Sequence, residues 1–114
     1  MAWNSEGLKR QANAIATDSL EIVYLNLSNN VITSEDISFD TAHTGNTVSL
    51  DENPTSTFNE GTTVKGFEIR KKVGGAVVFE HTYTEAIEFT VQGTITLESF
   101  NTTVGSTAPT ITIL

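Results

Sequence analysis

Cysteine is absent from this 114-residue chain, so a disulfide framework and a thiolate zinc site are both excluded. The redox compartment stays open, because a chain without thiols tolerates either. Proline occurs twice and tryptophan once, and positive charge is scarce, with 6 Lys and Arg against 14 Asp and Glu. The resulting net charge of −8 argues against nucleic acid as a partner, since phosphates are held chiefly through Lys and Arg. Nor does any stretch approach the roughly 18 apolar residues that cross a bilayer as a helix, so no membrane partner is expected. Met1-Ala2-Trp3-Asn4-Ser5-Glu6 lacks a basic region followed by an apolar run. No secretory signal is therefore expected, and synthesis in a cytosol is the default.

At 12.3 kDa the chain has the size of one domain. Folding a chain of this mass buries about two-thirds of its unfolded surface, enough for stability without a staple. The four basic residues Lys65, Arg70, Lys71 and Lys72 crowd into eight positions. A solvated hairpin end is the plain reading of that cluster, and a patch for an acidic partner the sharper one.

Helical spacing occurs once, over residues 4–18, where Leu8, Ala12 and Ile15 recur at i, i+4 and i+7 and Asn4 or Ser5 can cap the first turn. So few apolar anchors cannot support an isolated helix. We therefore expect a helical arm over 1–18, docked on the sheet or on another molecule, ahead of a β domain over 19–114. Leu20 to Leu27 is apolar on both faces at its centre, as in a central strand. Ser28-Asn29-Asn30 reads as a turn, with short extended pieces near Val31-Ile32 and Ile37–Phe39. Residues 40–62 read as a long polar loop holding one short strand near Thr47–Leu50.

In the second half, Thr63–Lys71 and Ala76–Thr84 flank Lys72-Val73-Gly74-Gly75, where adjacent glycines supply the positive φ of a hairpin turn. Val77, Phe79, His81 and Tyr83 share one face of the outgoing strand, opposite Val78, Glu80 and Thr82. Ile87, Phe89, Val91, Ile95 and Leu97 all fall on odd positions. A hairpin with the three-residue loop Gln92-Gly93-Thr94 would pair Phe89 with Leu97, and one long strand bent at Gly93 is the alternative. Thr110 to Leu114 alternates as a final strand. Together the pattern predicts a mainly β chain, an antiparallel sandwich or small barrel with one short N-terminal helix. Its 19 threonines alternate with apolar residues on several strands and suit an exposed, soluble face.

Candidate chemistry is thin. His43 and His81 stand in unlike contexts, one in a polar loop and one on an apolar strand face, where a packed histidine with a hydrogen-bond partner is the plain reading. No G-x-S-x-G and no H-x-x-x-H pair occurs. The acidic clusters Glu35-Asp36 with Asp40, and Asp51-Glu52, lack the regular spacing and glycine of a calcium loop. We expect no catalytic residues, no metal and no cofactor.

The short helical lead Leu8 to Ala16, the strand Leu20 to Tyr24, the polar middle, the stretch Gly66-Phe67-Glu68-Ile69-Arg70 with its glycine turn, and the closing segment Ile87 to Phe100 resemble in pattern the short minor structural proteins of tailed-phage virions. That resemblance implies a decoration or cement protein, made in the host cytoplasm and added to the outside of an assembled head in the virion. Its partners would be the major capsid protein and further copies of itself in a homo-oligomer. Attachment would fall to the N-terminal segment, with Trp3, Leu8 and Ile15, or to the C-terminal strand, with Ile111 and Ile113. The basic hairpin end, Lys71 and Lys72, is the third candidate. A tail, collar or head-fibre subunit and a carbohydrate-binding sandwich are the rival expectations.

Overall fold

The computed structural model describes residues 5–40, 47–103 and 110–113, with the side chains of 5–9, 101–103 and 110 left out. In order along the chain come a helix α1 (Ser5–Thr17) and strands β1 (Leu20–Leu25), β2 (Val31–Ile37), β3 (Thr47–Val48), β4 (Thr55–Phe58), β5 (Thr63–Lys71), β6 (Val77–Glu88), β7 (Gly93–Thr103) and β8 (Thr110–Ile113). Every pairing is antiparallel, and the strands form two sheets. The mainly β class with one short helix is what the residue pattern predicted.

Two compact units divide the chain, one made of Ser19–Ile37 and Pro54–Thr96, the other of Met1–Asp18, Ser38–Asn53 and Leu97–Leu114. The first holds the sheet ordered β2-β1-β5-β6. β1 lies inside it because Ile22, Val23 and Tyr24 are apolar on both faces, and all three are buried. Tyr24 faces Phe67 directly across β1 and β5, and Ile22 faces Ile69. Over them comes Phe58 of β4, its ring edge-on to Tyr24 at 5.2 Å and stacked on Phe89 at 5.0 Å. Here strands of the two sheets meet face to face, and the aromatic cluster is the core of this unit.

The second unit is organised on the later part of β7, which pairs with β8 (Leu97 with Ile113, Phe100 with Ile111) and with β3 (Val48 with Thr102). Phe39 bridges to Leu50, and its ring meets Phe100 at 5.6 Å. α1 lies against β3, burying the small residues Ala12 and Ala16 one turn apart. The helix expected as an arm therefore groups with Ser38–Asn53 and the C-terminal strand.

Three local expectations need correction. Residues 40–62 contain a second strand, β4, in which Ser56 and Phe58 are buried while Thr55 and Thr57 are exposed. β2 is one continuous strand, not two extended pieces. Finally, residues 87–100 form neither a hairpin nor a bent strand, because β6 ends at Glu88 and the first part of β7 pairs with β4, Phe58 opposite Gly93. Phe89 is instead tied to the β4–β5 turn, its N–H donating to Thr62 O at 2.8 Å and its carbonyl accepting from Gly61 N at 2.7 Å. Those bonds and the Phe58 ring take the segment out of reach of a local hairpin.

Candidate interaction surface

β6 is the last strand of its sheet, with β5 on one side and no described strand on the other. It is 12 residues long, and none of its side chains is fully buried. A long edge strand offers a row of backbone donors and acceptors to any extended chain. The turn before it is a true glycine turn, with φ of +87° at Gly74 and +72° at Gly75 and Lys71 N donating to Ala76 O at 2.9 Å. Around it Val73, Val77 and Val78 are 83%, 48% and 54% exposed, an apolar group at the tip of the hairpin.

The two faces of β6 differ. Phe79, His81 and Tyr83 lie half-buried beside Phe67, with ring centroids 6.1, 5.4 and 6.2 Å from it. Burial pushes the Tyr83 hydroxyl up to about 12, and the oxygen is buried with no hydrogen-bond partner. On the opposite face, Glu80 stands directly across from Glu68 of β5. Arg70 donates both Nε–H and Nη2–H to Glu68 Oε1, at 2.8 and 2.6 Å. Beside these carboxylates is a depression of about 270 Å³ lined by Asn29, Lys65, Gly66, Glu68, Glu80 and Thr82, among others.

An irregularity in the ladder shapes this depression. Val64 faces Ile87 and Gly66 faces Thr82, so Lys65 alone spans residues 83–86 of β6. The extra residues bow β6 outward, as a bulge does. Gly66 is needed at the pinch, because a Cβ there would overlap the backbone of His81 and Thr82.

The basic cluster is largely committed within the chain. Lys72 pairs with Asp36 at 2.9 Å, a contact that raises its pKa, and its N–H donates to Ser19 O. Arg70 holds Glu68, and Lys65 donates to the Asn29 side chain. Lys71 remains exposed at the turn.

The other candidate residues fall elsewhere. Ile15 is half-buried on α1, and Ile111 and Ile113 are half-buried on β8, one edge of which is already paired with β7. Leu8 is on α1 with its side chain undescribed, while Trp3 and His43 lie outside the described residues. His81 is half-buried beside two aromatic rings, Phe67 at 5.4 Å and Tyr83 edge-on at 5.5 Å. Among the described residues no three of His, Asp and Glu gather as metal ligands, and no helix is long and apolar enough to cross a membrane. What residue reading missed is the Glu68–Glu80 pair and the pinch at Gly66. An isolated glycine within a strand pattern was the available signal for the latter.

No family model, curated protein or solved structure matches this chain.

Proposed function

We propose that this protein is a non-catalytic structural subunit that attaches to a larger protein assembly, and specifically a decoration protein on the outside of a phage head. The free edge of β6, with the exposed valines at its tip, is the observation that carries this reading. A side chain set poised for catalysis would need a nucleophile, base or metal; a docking module needs an accessible edge and an apolar anchor. The virion as the destination is supported by the pattern-level resemblance of the chain to minor phage structural proteins. The mechanism is linkage: a subunit that binds the assembled shell and not the free coat protein stabilises the shell by mass action. Many identical sites multiply a modest gain per copy.

Purified protein mixed with undecorated heads should co-sediment at micromolar concentration, and the decorated heads should withstand more heat before releasing DNA. Absence of binding, or binding to isolated tails instead, would remove the decoration reading.

A further inference from the structure

Glu68 and Glu80 face each other across β5 and β6. Like charges so placed disfavour the pairing of their strands. Arg70 compensates one of them, both its N–H groups going to Glu68. Glu80 has no ion-pair partner among the described residues and is exposed beside the 270 Å³ depression. The remainder of β6 has the same bias. Glu85 and Glu88 are exposed as well, and no Lys or Arg follows Lys72 anywhere in the sequence. The charged side chains of β6 are thus all glutamates along a free edge, while the hollow lies on the β5 side of the strand and includes Lys65, itself bonded to Asn29.

We propose that the free edge of β6 takes up an extended basic segment of a partner protein by strand addition, with an arginine or lysine of that segment seated against Glu80. A strand added to β6 would run about 4.8 Å away, placing its same-face side chains beside Glu80 on the side away from β5. Main-chain hydrogen bonds supply affinity in such a complex, and the side chains that enter pockets select the partner. Charge also says what the segment is not. A second copy of this chain would set glutamates against glutamates, at a net charge of −8 on each molecule. The proposal rests on the reading of the protein as a docking module, and gives the chemistry of its partner.

The probe is a synthetic eight-residue peptide of alternating valine and arginine, with a valine–glutamate peptide as control, titrated into isotope-labelled protein. The arginine peptide should shift amide resonances of β6 and leave β2 unmoved, while the glutamate peptide shifts neither. Glu80→Gln should weaken binding roughly fivefold and Glu80→Lys roughly tenfold or more, with the β spectrum unchanged. Raised salt should act in the same direction. Equal binding of both peptides, shifts that avoid β6, or an unchanged affinity for Glu80→Lys would overturn the proposal. Heads separate it from the assigned function. Heads that bind wild type and Glu80→Lys alike would sink strand addition and leave decoration standing; peptide binding at β6 without head binding would do the reverse.

Discussion

At the scale of single residues, Gly66 constrains this fold more tightly than its neighbours. It needs no unusual φ; it needs the absence of a side chain, since a Cβ would sit 2.9 Å from Thr82 Cα and closer still to the His81 carbonyl oxygen. Both obstacles are backbone, so no rotamer change relieves them. Gly66→Ala should therefore destabilise the protein by about 3 kcal/mol or more, at the upper end of overpacking effects, and urea unfolding would measure it. A loss under about 0.5 kcal/mol, the range of ordinary surface changes, would show that β6 does not approach β5 there. Only half of this was legible beforehand. A strand glycine announces a bulge or a close approach, but which one depends on the strand opposite, and the offset between Val64–Ile87 and Gly66–Thr82 leaves no local trace. Glu80 was equally opaque: its face could be read from alternation, whereas its confrontation with Glu68 could not.

Elements whose signals are local were readable. α1 follows its 3.6-residue spacing, β1 its continuous apolar centre, and the β5–β6 turn its paired glycines. β4 was hidden because Thr55-Ser56-Thr57-Phe58 contains one apolar residue, and its alternation shows only as burial, with Ser56 and Phe58 inward. The pairing of residues 87–100 went astray for a related reason: alternation states which side chains share a face and not which strand lies alongside. β4 is nevertheless essential to the packing, since Phe58 is 1% exposed and touches both Tyr24 and Phe89. Truncation there removes a buried ring and leaves a cavity between the sheets. Phe58→Ala should lower stability by about 3–5 kcal/mol, while Thr57→Ala on the exposed side of the same strand stays within about 0.5 kcal/mol. Equal small effects in thermal melts would mean that β4 is not packed on β1.

For the molecule as a whole, the two strand tyrosines give stability a pH limit on the alkaline side. Tyr24 and Tyr83 are both raised above the ordinary value of 10.0, burial being the leading cause for each; Tyr24 is raised further by the charges of Tyr83 and Glu35. For Tyr83 the folded value is about 12. Between these values the unfolded chain releases its phenolic protons and the folded chain retains them. The unfolded state then binds fewer protons, so stability falls as pH rises. Below pH 10.0, the ordinary tyrosine value, both states keep the proton and the stabilisation is fully present; it is lost as pH climbs through 10.0 toward 12. Tyrosinate absorbance followed alongside urea unfolding separates the steps. We expect folded protein to show almost no tyrosinate at a pH where denatured protein is largely ionised, with ionisation and unfolding coinciding above it. Tyr83→Phe should weaken the pH dependence without abolishing it, because Tyr24 remains. Since the lost hydroxyl is buried and unpaired, the same variant should be unchanged or up to about 1 kcal/mol more stable at neutral pH. Titration of both phenols near 10.0 in a chain that is still folded would show that neither is enclosed as Phe58 and Phe67 imply.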